Sequence, residues 1–233
     1  CGNLCHNFTS LTATNVVFNV TSWTNYSIGE GGFLTTCGQL SVPNGVYKLQ
    51  NDITNFAGGN CFNVTEDNIV LDGQGHTIDG VDALVDDSGV YALVRTNITV
   101  KNLNVMDFNK GVNFFGTNDG AISNVSVSSN GDTGVYLFAS SNNFLSNITS
   151  YLNGQRGVLI YLGSNNNLTN VSTYWNGADG IQVSESSSNN LHFITTNNNV
   201  QRGIYVLNSL NNSLSDVVSS FNTLEGLYIY ESN

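Results

Sequence analysis

Apolar residues recur along the chain in short alternating pairs, and in the second half each pair is opened by a glycine. Gly111, Gly134, Gly157, Gly180, Gly203 and Gly226 stand 23 residues apart. They are followed by Val-Asn-Phe, Val-Tyr-Leu, Val-Leu-Ile, Ile-Gln-Val, Ile-Tyr-Val and Leu-Tyr-Ile. The first and third positions after each glycine are always apolar, which places them on the inner face of a β-strand. A second apolar pair follows in each repeat, as in Ile122/Val125, Leu145/Ile148, Leu168/Val171, Leu191/Ile194 and Leu214/Val217. Stretches rich in Ser, Asn and Gly separate the pairs and predict turns. No stretch has the period and caps of a long helix. A constant period without drift predicts an all-β solenoid of 23-residue coils, each stacked on the last.

Polar positions repeat in the same register. Asn130, Asn153, Asn176, Asn199 and Asn222 each lie four residues before a glycine. A second row holds Asn143, Asn166, Asn189 and Asn212, and a third Asn124, Asn147 and Asn170. Coils stacked at strand spacing would let identical amides hydrogen-bond up the stack, and Asn also tolerates left-handed turns. The residue before each late glycine is Arg156, Asp179, Arg202 or Glu225. In register these form an alternating salt-bridge column. Its exposed pairs are each worth about 0–1 kcal/mol, and its use is to oppose a slip by one coil.

Composition narrows the function classes. The net charge is −11 with only six Lys or Arg, which argues against nucleic acid, since phosphate binding needs basic patches. No apolar run is long enough to span a membrane. The chain starts at Cys rather than Met, so removal of a leader is expected. Cys1, Cys5, Cys37 and Cys61 form an even set beside abundant sequons, which predicts disulfides and a secreted, extracellular or cell-surface setting. The preferred pairing is Cys37–Cys61 with Cys1–Cys5, among three connectivities open to four cysteines. A lipid on Cys1 is the second reading. Asn7, Asn19, Asn25, Asn63, Asn97, Asn167 and Asn211 are the candidate acceptors for N-linked glycans. Asn124, Asn147 and Asn170 also lie in sequons, but their ladder row would engage them.

The segment Cys37-Gly-Gln-Leu-Ser-Val-Pro-Asn-Gly-Val-Tyr, then Asn60-Cys-Phe-Asn-Val64, then Asn68-Ile-Val-Leu-Asp-Gly-Gln-Gly-His-Thr-Ile-Asp-Gly80 leads into the repeat. Over residues 37–233 the chain resembles the NosD-like, PbH1-repeat β-helix proteins of archaeal and bacterial surfaces. The resemblance implies a right-handed parallel β-helix, with the paired cysteines closing the first coil. Copper handling, associated with part of that family, would need soft or imidazole ligands. One Met and three scattered His do not supply them. Residues 1–36 fall outside the repeat and are expected to form a β-rich extension that caps the first coil or reaches a neighbouring subunit.

Candidate chemistry is sparse. Asp79, Asp82, Asp86 and Asp87 form the best acidic cluster. Its oxygens would suit calcium, although a solvated loop is the preferred reading. His76 sits in Gly-Gln-Gly-His and is expected to be a turn residue, and no further cofactor is implied. After each glycine the second and fourth positions point outward and carry Phe115, Tyr136, Phe138, Tyr161, Tyr205, Tyr228 and Tyr230. Such an aromatic stripe predicts contact with the amino-terminal segment, with another copy of the chain, or with polysaccharide. The chain ends after a strand with no cap. That is expected either of a fragment of a longer protein or of an open end that pairs with another copy, and the second is the preferred reading. The leading expectation is therefore a glycosylated structural subunit without catalytic activity, assembling with copies of itself into a filament, sheath or surface layer. The alternative is a carbohydrate-active β-helix of lyase or hydrolase type, or a carbohydrate-binding adhesin.

Overall fold

The structure is a computed structural model that describes residues 31–81 and 86–232. Cys1, Cys5, Asn7, Asn19, Asn25 and Asp82 lie outside the described residues. Every described element is a strand, and all pairings are parallel.

Among the described residues one sheet has ten strands. Its first members are β1 (Gly32–Leu34), β3 (Val46–Leu49), β5 (Val70–Asp72), β6 (Thr77–Asp79) and β8 (Thr99–Met106). It continues through β10 (Ala121–Ser128), β12 (Phe144–Tyr151), β14 (Asn167–Tyr174), β16 (Asn190–Asn197) and β18 (Ser213–Ser220). The other has nine, beginning with β2 (Gly38–Leu40), β4 (Phe62–Val64), β7 (Ser88–Leu93) and β9 (Lys110–Phe115). It continues through β11 (Thr133–Phe138), β13 (Val158–Tyr161), β15 (Ile181–Ser184), β17 (Ile204–Leu207) and β19 (Leu227–Tyr230). Successive strands alternate between the sheets through most of the chain, so each coil adds one rung to both. β1 already pairs with β3, so the coil begins before residue 37.

The core lies between the sheets. Val135, Leu137, Val158 and Ile160 from one side meet Ile122, Leu145, Ile148 and Leu168 from the other, all fully or almost fully buried. Each such side chain contributes roughly 1.5–3 kcal/mol of burial. The glycines are required by close approach. A Cβ at Gly157 would lie 2.5 Å from the Gly180 carbonyl oxygen and 2.9 Å from Asn176 Nδ2.

That Nδ2 belongs to a buried amide ladder. The backbone N–H and Nδ2 of Asn153 both donate to Asn176 Oδ1, at 3.1 and 2.9 Å. Asn176 does the same to Asn199, and the row Asn143, Asn166, Asn189, Asn212 repeats the pattern. The third row is exposed: Asn147 Nδ2 donates to Asn124 Oδ1 at 2.9 Å, and Asn170 Nδ2 to Asn147 Oδ1 at 2.7 Å. These corner residues take left-handed φ near 50°, which Asn tolerates.

Cys37 and Cys61, just before β2 and β4, are joined by a disulfide with Cα atoms 4.6 Å apart. The bond ties the first two rungs of the nine-stranded sheet. Among the described residues no helix is long and apolar enough to cross a membrane.

Candidate functional site

The outer face of the nine-stranded sheet carries most of the chemistry. Strand pairing aligns Lys110 with Thr133, and the register of β11, β13, β15, β17 and β19 carries that column through Arg156, Asp179, Arg202 and Glu225. The neighbouring column runs Tyr91, Asn113, Tyr136, Leu159, Gln182, Tyr205, Tyr228. At the β7–β11 end the face dips into an open depression of about 470 Å³, lined by Asn60, Asp86, Tyr91, Lys110, Asn113, Phe115 and Tyr136.

Lys110 is the centre of this depression. Its ammonium reaches Asp86 at 3.4 Å, Asp132 at 3.7 Å and the Asn109 side-chain oxygen at 2.8 Å. Only 13% of the lysine side chain is exposed, so its position is set by these partners. Asn113 is 91% buried as a residue, and its Oδ1 accepts no hydrogen bond, nor does that of Asn60. A buried, unused amide oxygen costs stability unless something donates to it. Tyr136 is held above the ordinary tyrosine value, first by burial, then by Asp132 and Tyr161, against a smaller opposing effect of Arg156. Its phenol therefore stays protonated and can donate.

Further along, Arg202 is held between Asp179 (3.7 Å) and Glu225 (3.2 Å). Its guanidinium lies 4.5 and 4.8 Å from the ring centres of Tyr205 and Tyr228. The expected column differs in two respects. Arg156 turns to the Gln182 side-chain oxygen instead of joining the ion pairs. Asp179 is buried, not exposed, so the surface-pair range does not apply to it. Its carboxyl is raised above 3.8 because burial outweighs the Arg202 backbone N–H and the charges of Arg202 and Arg156. The ion pair alone would have lowered it; burial decides the direction.

A pH dependence follows. The folded chain keeps the Asp179 proton to higher pH than the unfolded chain, so stability falls as pH rises from the ordinary carboxylate value through the raised one. Asp179→Asn resembles the protonated form. It is expected to flatten this acid-range slope and to raise the urea midpoint at pH 7. An unchanged slope would show that another group sets it.

The aromatic stripe is not continuous. Phe115 and Phe138 meet at 4.4 Å with their rings tilted by 31°, and Phe138 meets Tyr161 at 5.5 Å. Tyr205, Tyr228 and Tyr230 form a second group, at 5.6 and 6.3 Å. On β15 the stripe is interrupted where Gln182 Nε2 donates to Ser184 Oγ at 2.7 Å.

The acidic cluster is dispersed. Asp86 faces Lys110, Asp87 accepts from the Asn109 N–H at 2.6 Å, and Asp79 accepts from the Asn55 N–H. No grouping of three His, Cys, Asp or Glu ligands occurs among the described residues. Of the described sequons, Asn97 and Asn211 are exposed, while Asn63 and Asn167 are half-buried.

Register also assembles two histidine pairs that the local sequence does not suggest. His76 Nδ1 lies 3.0 Å from Asp52, which also accepts from the Thr77 N–H. His192 Nδ1 lies 2.7 Å from Ser215 Oγ and 3.1 Å from Asp216. Both contacts are at the same ring nitrogen, whereas a nucleophile relay needs opposite ones. Lys110, Asp132, Asn60, Asn113 and Gln182 were not singled out from the sequence. Lys110 had a signal there, since it precedes Gly111 as Arg156 precedes Gly157.

A search of curated protein sequences finds no match. Among solved structures the chain is similar to the A-module of a mannuronan C-5 epimerase of Azotobacter vinelandii, with TM-score 0.55 and 16% identity. The similarity covers 81% of this chain and 56% of that one. It is also similar to the enzymatically active domain of tailspike protein 2 of bacteriophage CBA120, with TM-score 0.52 and 18% identity over 75% of this chain and 36% of that one. The chain thus spans about half of the first and about a third of the second. At these identities the likeness is one of fold. A family model described as a right-handed β-helix region matches residues 44–169 and 116–233. With its two parallel sheets and constant coil, the chain belongs to the right-handed β-helix family.

Proposed function

We propose that this chain is a carbohydrate-active β-helix that holds and processes a polysaccharide along the outer face of its nine-stranded sheet. This corrects the expectation of a non-catalytic filament, sheath or surface-layer subunit. The similar solved structures are an epimerase module named for mannuronan and an enzymatically active tailspike domain, and they favour the alternative reading.

The observation that carries the proposal is the depression around Lys110. It offers a fixed ammonium and a protonated phenol beside the exposed carboxylate of Asp86, with Asp132 behind Lys110. Lys110 would hold an acidic substituent, and sugar hydroxyls would donate to the exposed Asp86 carboxylate. The aromatic faces of Tyr91, Phe115 and Tyr136 suit the apolar side of a pyranose ring. Asp86 and Tyr136 are the acid–base groups that line the depression. The Cys37–Cys61 disulfide supports an extracytoplasmic setting.

The test is a panel of acidic and neutral polysaccharides, followed by calorimetry, reducing-end release, ultraviolet absorbance of unsaturated ends, and exchange of solvent deuterium into the sugar ring. Binding and one of these reactions are expected with an acidic polymer. Lys110→Ala should weaken affinity about tenfold, the size of one charged hydrogen bond. Folded protein that neither binds nor alters any polymer would refute the proposal.

A further inference from the structure

Where the coil turns from the ten-stranded sheet toward the nine-stranded one, Tyr151, Leu152, Tyr174 and Trp175 gather, and none of them lines the depression. Strand pairing sets Tyr151 beside Tyr174 at the ends of β12 and β14. Their rings lie 5.1 Å apart and within 11° of parallel, a flat platform across two coils. Trp175 meets Tyr174 at 5.1 Å and 85°, so it stands as a wall against that platform. Trp175 is 55% exposed and Leu152 52%.

The fold does not need large side chains here. Ser129, Leu152, Trp175 and Asn198 take the same left-handed corner in four successive coils, with φ of 55°, 56°, 57° and 56°. In each the backbone N–H donates to a carbonyl of the next coil, at 3.2, 3.3, 3.3 and 3.2 Å. Ser129 and Asn198 therefore make the corner with small polar side chains. A bulky residue is disfavoured in this backbone region, and the exposed surface of Leu152 and Trp175 adds nothing to the core. A disfavoured backbone under an exposed apolar group points to contact.

The size of the cluster decides what makes that contact. Register bounds it by Ser128 and Ser129 on one side and by Asn197 and Asn198 on the other. Its two rungs are roughly 5 Å apart, far too little for the roughly 800 Å² that a protein partner needs on each side. Phe221 takes the corner beyond Asn198, but it follows Ser220 rather than a tyrosine and does not extend the cluster. A platform and a wall of this size match a pyranose ring, whose C–H face packs on aromatic carbon. The Tyr174 phenol, held above the ordinary tyrosine value by burial and then by Tyr151, keeps its proton and can donate to a sugar hydroxyl. None of the four side chains carries a charge, so a neutral ring suits them.

We infer that Tyr151, Leu152, Tyr174 and Trp175 form a second carbohydrate site, which takes the C–H face of a neutral pyranose in a polysaccharide. The site is separate from the Lys110 depression and does not depend on it.

The test uses the Trp23→Phe chain, in which Trp175 is the one remaining tryptophan, titrated with cellohexaose as a neutral probe with flat C–H faces. Trp175 emission is expected to move to shorter wavelength on binding, with little dependence on salt. Trp175→Asn copies Asn198, so the corner and the urea midpoint should be kept. Its affinity for cellohexaose by calorimetry should fall at least about tenfold, the scale of one lost aromatic contact. Lys110→Ala and Phe221→Asn should each leave that affinity unchanged. Absence of binding, binding that Trp175→Asn leaves intact, or loss of binding in either control would overturn the inference. None of these touches the polysaccharide reading, which is tested with acidic polymers at Lys110. Self-association of the parent that Trp175→Asn abolishes would name a second copy as the occupant and also overturn it.

Discussion

Replacing Tyr136 by Phe is expected to lower turnover of the bound polysaccharide by about 100-fold or more, while affinity changes by less than about threefold. The hydroxyl is the only atom removed, so ring packing against Phe138, at 6.0 Å, is retained. General acid catalysis is worth roughly 10²–10⁴-fold, and the protonated phenol lining the depression is the neutral donor there. Burial, Asp132 and Tyr161 all hold its pKa above the usual value of 10.0. The alkaline limb of the pH–rate profile should therefore lie above the ordinary tyrosine range and vanish in the variant. A fall in affinity with unchanged turnover would make Tyr136 a binding residue only.

The second large effect is on stability. Asn176→Ala is expected to cost about 3 kcal/mol or more, read as a lower urea midpoint. The Asn176 side chain is fully buried and accepts from the Asn153 backbone N–H and Nδ2 while donating to Asn199 Oδ1 and the Ser150 carbonyl. Asn153 Nδ2 keeps Ser150 Oγ as a partner, but its backbone N–H loses its acceptor. Leaving such a group unpaired costs about 1–3 kcal/mol, to which the cavity adds. Asn147→Gly is the control. It keeps the left-handed corner and deletes an exposed ladder amide, and it should cost less than about 1 kcal/mol. Equal losses in the two variants would mean that burial does not set the worth of a ladder. In a solenoid each coil contacts only its neighbours, so amide exchange should rise first around Asn153 and Asn199.

The same distinction separates what could be read from the residue order from what could not. The three Asn rows were visible as a period, yet nothing local told the buried rows from the exposed one. That depends on which corner of the coil turns inward. The Arg156-to-Glu225 column was also visible, but not that Asp179 would be buried or that Arg156 would turn to Gln182. Both outcomes depend on side chains one coil away. Lys110 was legible by its place before Gly111. Asn60 was not, and Asp86 was read only as part of an acidic cluster, because the irregular segment between Gly59 and Gly89 breaks the period that would have aligned them with Lys110.

By itself, the order of residues determined the architecture. A strict 23-residue apolar period admits one economical burial, parallel strands stacked in register, and a glycine where neighbouring backbones nearly touch. The tertiary structure decided where the chemistry gathers. A depression forms only when β4, β7, β9 and β11 lie side by side, bringing Asn60, Asp86, Lys110, Asn113 and Tyr136 together from 77 positions of chain. Stacking converts a sequence separation of one coil into a distance of roughly 5 Å. Outward-facing residues carry no burial constraint to reveal them beforehand.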